Sequence, residues 1–390
     1  MSLSGIERLK RGQTRAAIVG GVGLVALAAG AVASPEQFFR SYLPAYVFVF
    51  GLALGSLALL MLQHMTGGAW GLMIRRLLEA SSRTLPLVAL MFVPIAFGLR
   101  HLYIWSVADT VAHDAILQQK SAYLNTGFFL TRAACYFGIW ITFATFLNRW
   151  SAEQDERPPG GDDRRFRLLS GPGLVVYGLT VTFASIDWIM SLDPHWFSTI
   201  FGMLLMVGQA LAAMAFAIAL LVMCGEDEPF RGRLNSAHFH DVGKLMFALV
   251  MLWAYLSFSQ FLIIWAGNLP EEIPWFIERL QGGWQWVALV LVVGHFFLPF
   301  LLLLSRDLKK NRRAIATIAV AILAMRFVDT YWLIAPAFPH EGFSMHWMDV
   351  AALAGVGGLW LAAFFRLLQS RERLPMHDPY LKDAVAHGGH

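Results

Sequence analysis

The stretch Leu43–Thr66, LPAYVFVFGLALGSLALLMLQHMT, contains no Asp, Glu, Lys or Arg. A helix of that length rises about 36 Å at 1.5 Å per residue, enough to cross a hydrocarbon core of about 30 Å. Nine more stretches read the same way, at about 16–33, 84–106, 126–149, 168–190, 196–223, 243–266, 284–305, 314–335 and 346–368. None shows the two-residue alternation of a barrel strand, and in lipid only helices or closed barrels satisfy their own backbone. The chain is 57% hydrophobic and 14% charged, with a mean hydropathy of +0.56. A soluble domain carries about 25% charged residues. The sequence therefore predicts an all-α integral membrane protein with about ten transmembrane helices.

Orientation follows from Lys and Arg, which gather in cytoplasmic loops. Arg8, Lys10, Arg11 and Arg15 precede the first span. Alternate loops then hold Arg75, Arg76 and Arg83; Arg157, Arg164, Arg165 and Arg167; Arg231 and Arg233; and Arg306, Lys309, Lys310, Arg312 and Arg313. Arg371, Arg373 and Lys382 lie in the tail, whereas the intervening loops hold little beyond Arg40, Lys120 and Arg279. Both termini are thus expected in the cytoplasm. The asymmetry accounts for the net charge of +4, so no nucleic-acid partner is needed to explain it. The basic start and the short Gly/Ala-rich run Ala16–Ala33 resemble a signal peptide. Because Pro35-Glu36-Gln37 leads almost at once into the next span, the expectation is a retained first helix.

Cys135 and Cys224 are too few for an iron–sulfur cluster, which takes about four thiolates, and both fall within spans. There is no C-x-x-C-H for haem, no phosphate-binding loop and no dinucleotide fingerprint. His387 and His390 are too sparse a cluster for a metal. No cofactor is expected on this chain, and any electrons passing near it would be carried by a partner.

Charged groups within spans are costly and are functional candidates for that reason. Asp241 and Lys244 lie at the cytoplasmic mouth of span seven, Gln260 in its outer half and His295 near the middle of span eight. Arg326 and Asp329 are three residues apart on one face of span nine, a spacing that also suits an intrahelical pair. Asp349 lies at the outer start of span ten. Ordered by depth, these seven would form a proton route, or a set of structural pairs. Asp187, near the outer end of span five, and Arg132, in span four, lie at comparable depth. They would form either a structural bridge or the flank of a pocket where an acid accepts a quinol proton.

Several segments resemble one family. They are Leu54–Met61 with His64 and Thr66–Trp70; Ser185–Gly202, SIDWIMSLDPHWFSTIFG; Ser257–Asn268 with Pro270-Glu271-Glu272; and His295–Arg306. Together they are similar to the NrfD/polysulfide-reductase-type quinol-interacting membrane subunits, and within them to the ActF subunits of alternative complex III. The resemblance implies one polytopic domain over residues 1–390. Within it, four-helix bundles at 43–190 (spans two to five) and 196–335 (spans six to nine) are flanked by the first and last helices, with a cytoplasmic tail at 369–390. It also implies the bacterial inner membrane and a respiratory quinol:cytochrome c (electron-acceptor) oxidoreductase. The expected partners are a sibling NrfD-like membrane subunit, a periplasmic iron–sulfur subunit, a multihaem cytochrome c and lipid, with menaquinol or ubiquinol as the quinol. In the sibling subunits an acid in the segment matching Ser185–Trp188 is associated with the quinol site, which singles out Asp187. Span four here carries Arg132 and no mid-span histidine, so the resemblance implies chiefly a proton-conducting or stabilising subunit. The other readings are a purely structural anchor and an independent secondary transporter.

Overall fold

The computed structural model describes residues 3–156, 164–338 and 342–386; Arg157, His387 and His390 lie outside them. Among the described residues, ten helices are long and apolar enough to cross a membrane, and none forms a strand. They are α1 (Gly5–Ala33), α2 (Pro35–Thr66), α3 (Ala69–Phe97), α4 (Thr126–Glu156), α5 (Arg164–Leu192), α6 (Phe201–Cys224), α7 (Ser236–Gly267), α8 (Trp284–Leu304), α9 (Arg312–Ala337) and α10 (Trp347–Gln369). The chain is a multi-pass, all-α membrane protein.

At the centre α2 crosses α6. A Cβ on Gly55 would lie 2.2 Å from the Gln209 carbonyl oxygen, so the two backbones touch where glycine stands. Small residues drive helix packing in lipid because apolar side chains gain nothing by leaving it for one another. Around this crossing α2 packs on α3, α5 and α10, while α6 packs on α5, α7 and α9. The periphery is apolar and exposed: Val22, Val25 and Val32 on α1, Phe258 and Trp265 on α7, Leu301 on α8. Such surfaces suit lipid.

The first helix runs along the last. A Cβ on Gly23 would lie 2.4 Å from the Gly355 nitrogen, and one on Gly20 2.6 Å from the Leu359 nitrogen. Gly5 stands against Asp227 and Arg373, whereas Gly30 meets Met348 at the other end. The two helices are therefore antiparallel, and residues near both termini share one face, called here the terminal face. The Gly/Ala richness of the first span is the sequence trace of this seam.

One expectation changes. The third span begins at Ala69 rather than about 84, so Arg75 and Arg76 belong to the helix and not to a loop, and Arg83 caps its first segment. Pro86 and Pro94 divide α3 into Ala69–Ser82, Leu85–Met91 and Val93–Phe97, since proline lacks the amide proton that would continue the ladder. Arg75 and Arg76 are buried in a network. Arg75 Nε donates to Glu79 at 2.9 Å and its Nη1 to Asp378 at 2.7 Å, while Nη2 reaches Ser151 and Gln154. Arg76 Nη1 donates to the other Glu79 oxygen at 2.7 Å, and its Nη2 reaches Asp155. The carboxyl tail docks on its own chain. Beyond Asp378, Arg373 reaches Asp227 at 3.5 Å, and the Ala384 carbonyl contacts His238 Nε2 at 2.8 Å.

The glycine seam gives a test. Gly23→Leu should undock α1 and lower stability by about 1–3 kcal/mol or more, the usual cost of forcing bulk into a packed contact. Gly21→Leu, where a side chain meets nothing within 4 Å, should be silent. Thermal unfolding of both variants in detergent checks this.

Candidate functional site

The structure gathers the predicted residues into two buried centres and leaves the others apart. The first centre lies where α4 and α5 approach the face opposite the termini. Arg132 grips Asp187 with two hydrogen bonds, Nε to Oδ2 at 2.9 Å and Nη2 to Oδ1 at 2.8 Å. Tyr136 donates to Oδ2 at 2.9 Å. Tyr136 lies four residues after Arg132, hence on the same helical face; that spacing was readable, but the tyrosine was missed. The guanidinium is also stacked on Tyr123 at 3.8 Å and Phe128 at 4.2 Å, with Nη1 donating to the Tyr123 carbonyl. Asp187 is fully buried. A bidentate, charge-assisted pair of this kind is among the stronger polar contacts.

Beside this pair opens a mainly apolar cavity of about 380 Å³, with Tyr123, Ile186, Ser191, Trp196 and Phe197 in its walls. Asp187 is not among them; Tyr123 joins the pair to the cavity. One wall is stiffened from behind. Trp196 stacks on Trp275 with centroids 4.5 Å apart, and the Arg279 guanidinium lies 3.6 Å over the Trp275 ring. Arg279 is buried and donates to the carbonyls of Trp275 and Leu333, both at 2.9 Å. It lies in a short helix, Ile273–Arg279, outside the spans. Burial pulls its guanidinium down to about 9, against the opposing pull of Glu278 and Asp193.

The second centre lies at mid-depth in α8 and α9. His295 is fully buried, and neither ring nitrogen has a hydrogen-bond partner. Its ring lies against Trp253 of α7, with centroids 4.0 Å apart. Residues Leu291–Phe297 form a π-helical turn rather than an α-helical one. Such one-turn widenings occur frequently at functional sites. Gly294 backs this turn onto Met325 of α9. In the next residues Arg326 Nη1 pairs with Asp329 Oδ2 at 2.5 Å, the intrahelical arrangement that the spacing suggested. A Cβ on Gly208 of α6 would lie 2.1 Å from Arg326 Nη2, so this glycine makes room for the guanidinium. The adjoining Gln209 accepts a hydrogen bond from the Tyr177 hydroxyl at 2.9 Å. Gln209 and Tyr177 were also missed, although Gln209 is a lone amide in an apolar span.

The other four candidates lie elsewhere. Lys244 pairs with Asp241 at 2.7 Å, and both are partly exposed at the terminal face. Gln260 accepts from Ser198 at 3.2 Å. Asp349 caps α10 by accepting from the His346 amide at 2.8 Å, and it also receives Ser41 at 2.6 Å and Tyr331 at 3.0 Å. The seven residues read as one route thus occupy four places. The apolar, buried Met246 and Val250 stand between Lys244 and the level of Trp253 on α7. Among the described residues, no group of three or more His, Cys, Asp or Glu could hold a metal ion. Compared with known proteins, the chain matches no family model and no curated protein sequence.

Asp187→Asn should strand Arg132 in the interior and lower stability by about 3–5 kcal/mol, because the remaining charge stays buried without its partner. Replacing both, as Arg132→Met with Asp187→Leu, should recover most of the loss. Unfolding in detergent of the single and double variants measures the difference.

Proposed function

We propose that this chain is a cofactor-free membrane subunit of a respiratory quinol:electron-acceptor oxidoreductase, of the ActF type within the NrfD-like family. Its place would be the bacterial inner membrane, with both termini cytoplasmic. Its partners would carry the iron–sulfur clusters and c-type haems. Its own contribution in this reading is a proton-handling centre in α8 and α9 and a quinone-facing surface beside Arg132 and Asp187. The observation that carries the proposal is His295: a titratable ring buried at mid-membrane, unpartnered on both nitrogens, on a π-helical turn beside the Arg326–Asp329 pair. A side chain left that way costs stability and calls for an explanation beyond packing.

The chemistry follows from the groups present. A neutral imidazole has one donor and one acceptor nitrogen and passes a proton by exchanging them. Asp329, held by Arg326, supplies an acid next to it in depth. Water entering between Trp253 and the π-helical turn would join them to Lys244 and Asp241 on one side and to Asp349 on the other. On the quinone side, the apolar cavity of about 380 Å³ beside Tyr123 suits an aromatic head group, and pockets for such ligands are mostly apolar with few polar groups.

The anchor reading also has an observation in its favour. Arg326 and Asp329 neutralise each other, and apolar layers separate the centre from the terminal face. One experiment decides between the two. The intact complex is reconstituted in liposomes, and proton release is followed beside quinol oxidation for wild type, Asp329→Asn and His295→Ala. The proposal expects proton movement to fall severalfold while assembly and quinol oxidation persist. Unchanged proton stoichiometry would leave the chain a scaffold.

A further inference from the structure

A cavity of about 450 Å³ lies at the terminal face, between the end of α2, the start of α3, the start of α5 and the docked tail. Its size is within the range of about 300–1,000 Å³ typical of ligand sites. None of the residues discussed for proton or quinone chemistry lines it.

Its chemistry has two sides. The first is a phosphate-type side. The turn Gly67-Gly68 takes positive φ angles of 66° and 96°, and α3 starts at once with no side chain capping its first amides. Uncapped first-turn amides attract anions. Among the described residues of the lining, Arg167, exposed at the rim, is the cation free to join them, whereas the Arg75 guanidinium is already committed to Glu79, Asp378, Ser151 and Gln154. The second side asks for a donor. Gln63 is 5% exposed, and its Oε1 is buried with no partner. Its stem is fixed against Gly71, where a Cβ would lie 1.9 Å from Gln63 Cγ. The buried Nε2 of His64 is likewise unpartnered, and Asp383 adds a carboxylate to the lining.

We propose that this cavity binds the head group of a zwitterionic, amine-bearing phospholipid of the phosphoethanolamine class. The phosphodiester would sit on the α3 amides and Arg167, and the ammonium would donate to Gln63 Oε1 and face Asp383. The acyl chains would run along Met65 and Leu168, which are exposed at the same level of α2 and α5. The pairing explains why the lining carries both signs of charge. It also disfavours two common head groups on chemical grounds. Phosphocholine has no N–H to give Gln63, and phosphoglycerol has no cation for Asp383.

The purified full chain, delipidated in detergent, is titrated with phosphoethanolamine, phosphoglycerol and phosphocholine lipids of one acyl composition, with bound copies counted by native mass spectrometry. One phosphoethanolamine lipid should bind about tenfold more tightly than either of the others, the effect of one good charge-assisted hydrogen bond. Gln63→Leu should erase its advantage over phosphocholine. Arg167→Gln, at an exposed position that leaves folding intact, should weaken all three lipids alike. Water-soluble glycerophosphoethanolamine, added as competitor, shows whether a free phosphodiester suffices: displacement assigns the site to the head group alone, and no displacement assigns it to the membrane lipid. Equal affinity for the three lipids overturns the proposal, as does Arg167→Gln binding like wild type. If Gln63→Leu does not fold, lipid ranking in the wild type and the Arg167→Gln arm still decide it.

Discussion

Everything in this fold hangs on the contact of α2 with α6 at Gly55 and Gln209. A membrane interior offers no hydrophobic gain for bringing helices together, so close backbone approach has to supply the attraction. With those two helices touching, α3, α5 and α10 pack about one and α7 and α9 about the other. The same contact sets the neighbouring Gly208 against Arg326 and turns Gln209 toward Tyr177. Two glycines, Gly55 on α2 and Gly208 on α6, thus decide the packing and the room left for a buried guanidinium.

Charge inside the chain obeys one economy: nearly every ionised group brings its opposite. Arg132 with Asp187, Arg326 with Asp329, and Arg75 and Arg76 with Glu79 are each closed within hydrogen-bond distance. Arg279 departs from it, satisfied by two carbonyls and a tryptophan face instead of a carboxylate. His295 departs in another way, with no polar partner at all. The exceptions differ in kind: Arg279 finds its partners within the chain, whereas the His295 ring has no hydrogen-bond partner among the described residues.

What the sequence disclosed depended on how local the signal was. The spans were legible because length and hydropathy are properties of continuous segments. The Arg326–Asp329 pair was legible because three residues place two side chains on one helical face. The start of α3 was hidden: Arg75, Arg76 and Glu79 lower its hydropathy, and nothing local shows that Ser151, Gln154 and Asp378 bury them. Asp378 lies 303 residues from Arg75, and no window spans such a distance. The π-helical turn was equally invisible, since it changes hydrogen-bond register without changing composition. The groups expected to line one proton route share a sequence of depths but not one helix face, and depth alone does not make neighbours.

That widened turn in α8 has a consequence for how the helix can vary. A π-turn is equivalent to one residue inserted into an α-helix, and each residue of an α-helix turns the chain by about 100°. The segments before and after Leu291–Phe297 are therefore out of phase with each other. Removing one residue there would restore an ordinary helix of nearly the same length, still apolar enough to span, yet with its second half swung round. His295 and the run Leu298–Leu304 could not both keep the faces they now present to Trp253 and to lipid. Length within this turn is thus as constrained as residue identity, although hydropathy would register no difference.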